Sequence, residues 1–133
     1  MSVPIPELAL DLLRRPLTCI VVTMLPDGQP HATPVWFDFD GSQVRFNTAE
    51  GRQKARNVAR NSKVTISILD PQDDGHWLEW RGHVIEIRDE AGGARDHINS
   101  ISFRYTGNPI FRSSKPDEKR LMVIVAADKI NAE

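Results

Sequence analysis

Three cations stand at the start of a predicted helix. The stretch Asn47–Val64, NTAEGRQKARNVARNSKV, enters this helix from a strand, and its first turns carry Arg52, Lys54 and Arg56. The N-terminus of a helix carries a partial positive charge, so cations there are unfavourable unless an anion lies beside them. Free backbone N–H groups, the Thr48 hydroxyl, a guanidinium and an ammonium are together typical of a phosphate site. The alternative is a solvated basic face.

The spacing of the cations separates two roles. Arg52 and Lys54 diverge by about 200° around a helix, so they can flank an anion at its tip. Arg56 and Arg60 follow Arg52 along one face, where they are better placed to cover a neighbouring surface. We therefore expect Arg52 and Lys54 to hold the anion.

A second candidate is the stretch TPVWFDFD. Pro34 cannot donate a ladder hydrogen bond, so its strand is expected to be irregular or to lie at a sheet edge. The backbone groups of Val35 and Trp36 would then be free to meet a planar heterocycle. The alternative is that Trp36 and Phe37 are ordinary aromatic residues of a sheet.

Other chemistry finds little support in the sequence. The histidines His31, His76, His83 and His97 show no H-x-x-H or H-E-x-x-H spacing, so no metal site is expected. No P-loop, no G-x-G-x-x-G and no G-x-S-x-G elbow is present. Cys19 lies in the apolar run LTCIVVTML, and we expect it to be a small buried residue and not a reactive thiol.

Composition excludes several classes of protein. The chain has 133 residues and a net charge of −1, which argues against general binding of nucleic acid or anionic membranes. A single cysteine fits the reducing cytoplasm. The N-terminal residues do not resemble a signal peptide, and no apolar run approaches the roughly 20 residues that span a bilayer. We expect one cytoplasmic domain over residues 1–133.

Periodicity and turn residues predict a mainly β chain. Helices are expected at Pro6–Arg15, Gly51–Arg60 and Glu90–Thr106, and strands at Leu17–Leu25, Pro30–Phe39, Gln43–Thr48, Lys63–Asp70, His76–Asp89 and Arg120–Ile130. Six mostly antiparallel strands suit a small barrel. Its own side chains would fill such a barrel, so a large ligand must bind outside it, for example in a groove between two barrels.

The run DGQPHATPVWFDFDGSQVRFNTAEGRQKARNVARNSKVTISILD resembles the pyridoxamine 5'-phosphate oxidase-like FMN/F420-binding split-barrel family. Within it, GRQKARNVARNSKV is similar to the F420-dependent (FDOR-B type) branch of actinobacterial enzymes. WLEWRGHVIEI, ISFRYTG and the final ADKI extend the likeness over nearly the whole chain. The resemblance implies a mainly β fold, a six-stranded antiparallel split β-barrel with about three short helices. It also implies a homodimer with two cofactor sites between the subunits.

The resemblance also implies roles for individual residues. Arg52 and Lys54 would hold the cofactor phosphate, assisted by Thr48 and Gln53. The ring system would lie along Pro34, Val35, Trp36 and Phe37, with Asn47 near the ribityl chain. The opposite subunit would complete the site through Trp77 or the loop after Thr106. Tyr105 is a candidate proton donor, and solvent is the alternative.

The resemblance favours the deazaflavin F420 over FMN, because a longer anionic tail would give Arg56, Arg60 and Lys63 a ligand. The chain is then expected to be an F420H2-dependent oxidoreductase that transfers a hydride to an unsaturated or oxidised small molecule. The longer C-terminal substrate-binding segment of the true pyridoxamine phosphate oxidases has no counterpart here, so that substrate is not expected. The alternatives are a cofactor-binding or storage protein and an FMN-dependent oxidase or reductase. A nucleic-acid binder is disfavoured by the acidic remainder of the chain.

Overall fold

A computed structural model describes residues 3–113, 115 and 117–133. The described residues form seven strands and three α-helices, in the order of a 3-10 turn Glu7–Ala9, α1 Leu10–Arg14, β1 Cys19–Met24, β2 Pro30–Val35, β3 Phe37–Phe39, β4 Val44–Ala49, α2 Gln53–Arg60, β5 Lys63–Asp70, β6 Asp73–Arg88, α3 Ala94–Thr106 and β7 Arg120–Ala132. The expected mainly β fold is confirmed.

All strands belong to one curled antiparallel sheet with the order β2-β1-β5-β6-β7-β4-β3. The predicted strand Pro30–Phe39 is wrong as one strand, because it breaks at Trp36. Its first half pairs with β1, where Val35 lies opposite Cys19. Its second half pairs with β4, where Phe37 lies opposite Phe46. The two edges of the sheet are therefore consecutive in the chain, and the split of the barrel lies at Trp36.

Alternation along the strands fills the barrel interior. β5 buries every second residue, Val64, Ile66 and Ile68, as the sequence KVTISILD predicts. The largest fully buried side chain is Trp80 of β6, whose ring meets that of Phe39 edge-on at 6.3 Å. The interior is thus a packed core, and a cofactor-sized ligand must bind outside it.

Gly82 marks a bulge in β6. The pairing of β6 with β7 shifts register between Arg81 and Gly82. A Cβ atom built at Gly82 would lie 2.0 Å from the carbonyl oxygen of Ala126. Only glycine allows the two backbones to approach this closely.

The helices cover the sheet from different sides. Helix α1 packs on β3 and β5, α2 packs on β1 and β4, and α3 packs on β7 and β4. Helix α3 begins at Ala94 and not at Glu90, because Gly93 has a φ of 105° and interrupts helical geometry. No helix in the described residues combines the length and apolar character that crossing a bilayer requires.

Candidate functional site

The β4–α2 junction brings the predicted phosphate-binding residues together. Gly51 has a φ of 85°, and a Cβ atom there would meet nothing within 4 Å. Its backbone angle, and not close packing, therefore requires the glycine. Arg52 is the N-cap of α2, and no side chain caps this end of the helix. Thr48 is only 2% exposed, and its hydroxyl has no hydrogen-bond partner among the described residues.

Lys54 is a half-buried cation. No ion pair joins Lys54 to a carboxylate in the described part of the chain. Burial lowers the pKa of its ammonium group, and the positive charges of Arg52 and Arg120 lower this pKa further. An anion at this point would favour the charged form of Lys54 and offset these unfavourable effects.

Glu118 joins two of the cations and was missed by the sequence analysis. Its Oε1 accepts hydrogen bonds from Arg52 Nε at 3.1 Å and Nη2 at 2.5 Å. Its Oε2 accepts from Arg120 Nη1 and from the Ser113 hydroxyl, each at 2.7 Å. These donors hold the pKa of the carboxyl at about 2, despite its burial. The cluster Arg52, Lys54, Arg120 and Glu118 is called the cation cluster below.

A buried polar chain continues from the cation cluster to α3. Arg120 Nε donates to Asn47 Oδ1 at 2.8 Å. The Asn47 amide lies 3.0 Å from both the Ala94 carbonyl and His97 Nδ1. His97 Nε2 lies 3.3 Å from Asp38, whose carboxyl has a pKa lowered by His97 and Arg45 despite its burial. The oxygen and the nitrogen of the Asn47 amide are therefore both hydrogen-bonded within the chain, and the oxygen holds Arg120 of the cation cluster in place.

A groove beside Trp36 is the candidate ring site. It has a volume of about 440 Å³ and is lined by Thr18, Pro34, Val35, Trp36 and Phe111. The Trp36 ring stacks on Tyr105 with the centroids 4.9 Å apart and the planes inclined by 12°. The Arg120 guanidinium lies 5.0 Å from the Phe111 ring centroid. The groove and the cation cluster are therefore adjacent through Phe111.

Comparison with known proteins agrees with this fold. The family model described as pyridoxamine 5'-phosphate oxidase matches residues 5–132. The chain belongs to the pyridoxamine 5'-phosphate oxidase family. A solved structure named F420 reductase has a TM-score of 0.84 at 30% identity, over 96% of this chain and 98% of that one.

Two further structures share the fold of this pyridoxamine 5'-phosphate oxidase family member. A conserved hypothetical protein, Rv2991 from Mycobacterium tuberculosis, has a TM-score of 0.71 at 25% identity, covering 98% of this chain and 86% of that one. A structure titled putative pyridoxamine 5'-phosphate oxidase, from Listeria innocua, has a TM-score of 0.71 at 18% identity, covering 92% and 93%. No curated protein sequence matches this chain. The fold is that of the flavin- and F420-related oxidoreductases.

Not all residues expected from the family resemblance meet at one place. Phe37 is fully buried in the core, so its side chain does not line the groove beside Pro34, Val35 and Trp36. Trp77 lies opposite Leu69 and bonds to the backbone of Glu133, at the other end of β7 from Arg120. At about 3.3 Å per residue, about 40 Å of strand separates it from the cation cluster.

The basic face of α2 is engaged locally in this family member. Arg56 donates to the Gly51 carbonyl and to Gln53 Oε1. The Gln53 amide also lies 2.8 Å from the Asn57 side chain. Arg60 donates to the Met24 carbonyl. Arg52 and Lys54 thus remain the cations best placed for an anion at the helix tip.

Tyr105, the candidate proton donor, holds the split of the barrel together. Its hydroxyl donates to the Leu17 carbonyl at 2.5 Å and accepts from the Phe37 N–H at 3.1 Å. Burial raises the pKa of the hydroxyl to about 12. Cys19 is fully buried as predicted, and burial raises the pKa of its thiol to about 12. Both groups therefore keep their protons at neutral pH.

Asp11, Asp70 and His76 place possible metal-ligating atoms within 4.8 Å of one another. Arg15 pairs with both carboxylates, at 3.2 Å and 3.1 Å. His76 Nδ1 lies 2.6 Å from the Glu133 carbonyl and Nε2 lies 2.9 Å from Asp11. Two acceptors facing one imidazole favour its charged form, and these contacts raise the pKa of His76. The contacts of Arg15 and His76 therefore account for the cluster without a metal.

Proposed function

We propose that this chain is an F420H2-dependent reductase whose cation cluster binds the cofactor phosphate. The observation that carries the proposal is Lys54, a half-buried cation without a carboxylate partner in the described chain, beside Arg52 and Arg120. The uncapped start of α2 and the buried, unpartnered Thr48 hydroxyl add donors for the same anion. The residues present therefore fit a phosphate group.

The groove beside Trp36 supplies the ring site in this proposal. Pro34, Val35 and Phe111 give it apolar walls, and Trp36 offers an aromatic edge held in place by Tyr105. Cofactor sites are commonly apolar clefts of about 300–1,000 Å³ with a few polar groups, and this groove falls within that range. Its contact with the cation cluster through Phe111 matches a ligand with a ring at one end and a phosphate further along.

F420 is proposed over FMN because further basic residues follow the cation cluster. A second groove of about 530 Å³ runs beside the end of α2, and its polar lining consists of Asn61, Lys63, Thr65, Arg81 and Asp128. A tail of several carboxylates would meet these cations, whereas FMN ends at its phosphate. The structural similarity to a protein named F420 reductase, at 30% identity, favours the same choice.

A cytoplasmic homodimer with shared sites is part of the proposal. Ile20 and Leu69 are 39% and 48% exposed on the outer face of the sheet, where Trp77 pairs with Leu69. Apolar residues on a sheet face favour contact with a second copy. Because about 40 Å of strand separates Trp77 from the cation cluster of its own chain, we propose that a partner chain brings this residue to the site.

The protein's part in the reaction is binding and orientation. Bound F420H2 supplies a hydride, which an electrophilic carbon of an unsaturated or oxidised substrate accepts. The cation cluster fixes the phosphate, and the Trp36 groove fixes the plane of the ring and excludes water from one side. The Tyr105 hydroxyl is engaged by two backbone groups, so we assign the proton to solvent.

Fluorescence titration of the purified chain with F420 and with FMN tests the proposal. We expect F420 to bind more tightly and its reduced form to be oxidised by enones or quinones. Tighter binding of FMN would overturn the choice of cofactor and favour an FMN-dependent oxidase or reductase. Binding of F420H2 without oxidation by any enone, quinone or tetrapyrrole would favour a cofactor-storage protein.

A further inference from the structure

The cation cluster already contains an anion from the chain itself. The Glu118 side chain is only 5% exposed and accepts hydrogen bonds from Arg52, Arg120 and Ser113. Together the three cations and the one carboxylate of the cation cluster carry a net charge of +2. This exceeds the single negative charge of a phosphodiester, as in F420, and is close to the charge that balances a phosphate monoester, as in FMN, about −1.5 to −2 at neutral pH. A ligand phosphate can therefore join the cluster without expelling Glu118.

The two arginines that bind Glu118 differ in how exposed and how tightly held their side chains are. The Arg120 side chain is 3% exposed and is fixed by Asn47 and by the Phe111 ring. The Arg52 side chain is 51% exposed, and its hydrogen bonds in the described residues go to Glu118 Oε1. Glu118 keeps its hydrogen bonds from Arg120 and Ser113 when Arg52 leaves, and the exposed Arg52 guanidinium is then solvated. Arg120 and Ser113 would retain the carboxylate.

We propose that Glu118 competes with the ligand phosphate for Arg52, which changes partner when phosphate binds. The inference rests on the proposed function for the identity of the ligand, but it concerns any phosphate group at the tip of α2. Glu118 then acts as a specificity-determining residue. An anion must hold Arg52 better than a carboxylate does, which favours phosphate groups over carboxylate ligands. Glu118 also lowers the affinity of the cation cluster for phosphate, which allows bound cofactor to exchange with free cofactor.

The first test separates the contribution of the phosphate to the binding affinity from that of the ring. Dissociation constants of FMN and of riboflavin, which lacks the phosphate, are measured by fluorescence for the wild-type chain and for Glu118→Gln. Glu86→Gln is the matched control, because Glu86 loses the same charge from an exposed pair with Arg88. We expect Glu118→Gln to raise the preference for FMN over riboflavin by about twofold to fivefold, the range of an exposed ion pair. Glu86→Gln should leave the preference unchanged.

The opposite result has an equally clear meaning. A preference for FMN that falls in Glu118→Gln would show that Glu118 positions Arg52 for phosphate instead of competing for it. An unchanged preference in a folded variant would show that Glu118 is purely structural. Either result overturns the inference.

A second test needs neither the variant nor a flavin. The Arg52 Nε–H resonance of the wild-type chain, assigned by its loss in Arg52→Lys, is followed by NMR during titration with inorganic phosphate and with acetate. We expect a saturable shift with phosphate and a much smaller one with acetate. A resonance that does not respond to phosphate, or responds equally to both anions, overturns the inference. If F420 and FMN both fail to bind, the proposed function fails, while this titration still decides whether Arg52 responds to phosphate.

Discussion

Replacing Lys54 by methionine should separate binding from stability. Methionine keeps most of the apolar stem and removes the charge. A hydrogen bond to a charged group contributes roughly 1.5–3 kcal/mol, so the loss of Lys54 should weaken binding of F420 or FMN by about 10- to 150-fold. Fluorescence titration measures this change. Lys129→Met, which removes a lysine from an exposed position of β7, is the matched control and should leave the dissociation constant unchanged.

The same variant should be at least as stable as the wild-type chain. Burial and neighbouring cations lower the pKa of Lys54 from 10.5, so folding disfavours the charged form of this side chain. Wild-type stability should therefore rise with pH as Lys54 loses its proton below pH 10.5, and Lys54→Met should lack this contribution. Thermal melts at several pH values measure the difference. An unchanged dissociation constant in folded Lys54→Met would refute the assignment of the phosphate site.

Three further predictions concern the scaffold. Gly82→Ala should reduce the free energy of unfolding in urea by about 3 kcal/mol, because its Cβ atom would lie 2.0 Å from the Ala126 carbonyl; a loss below about 1 kcal/mol would contradict that reasoning. Stability from charged His76 should be present below pH 6.5 and disappear as pH rises through its raised pKa, so melting temperatures of His76→Gln should depend less on pH between about 5.5 and about 8.5. Equal slopes for both proteins would exclude this role. Tyr105→Phe should cost about 1–3 kcal/mol, because the Phe37 N–H loses its acceptor, and should leave kcat within about twofold; a tenfold lower kcat would identify Tyr105 as a proton donor.

Much of the fold follows from local patterns. β5 matches its predicted bounds, Lys63–Asp70, because alternating residues and flanking polar turns define it without help from the rest of the chain. The edge position of Pro34 was likewise readable from the missing N–H of proline. The break at Trp36 could not be predicted in this way, because it depends on which distant strands pair with the two halves of the segment. Pairing of that kind leaves no local signal.

The candidate site divides in the same way. Arg52, Lys54 and Thr48 are recognisable because they share one strand–helix junction. Glu118 lies in an irregular stretch between α3 and β7, and only the folded chain brings it to Arg52. Asn47 and Tyr105 were assigned to the ligand and to proton transfer by the resemblance. Their side chains instead hydrogen-bond to other parts of the chain. Buried polar groups that water cannot reach need hydrogen-bond partners within the protein.

The split at Trp36 has a consequence for backbone motion. The two sides of the split are joined by one residue, and a side-chain hydroxyl of α3 replaces the ladder bonds that would otherwise join them. Amide protons on β2 and β3 should therefore exchange with solvent faster than those of β5 and β6, which have a strand on both sides. A planar ligand stacked in the Trp36 groove would contact Pro34 and Val35 of β2 and Trp36 at the split. Slower amide exchange in β2 would then report that the groove is occupied.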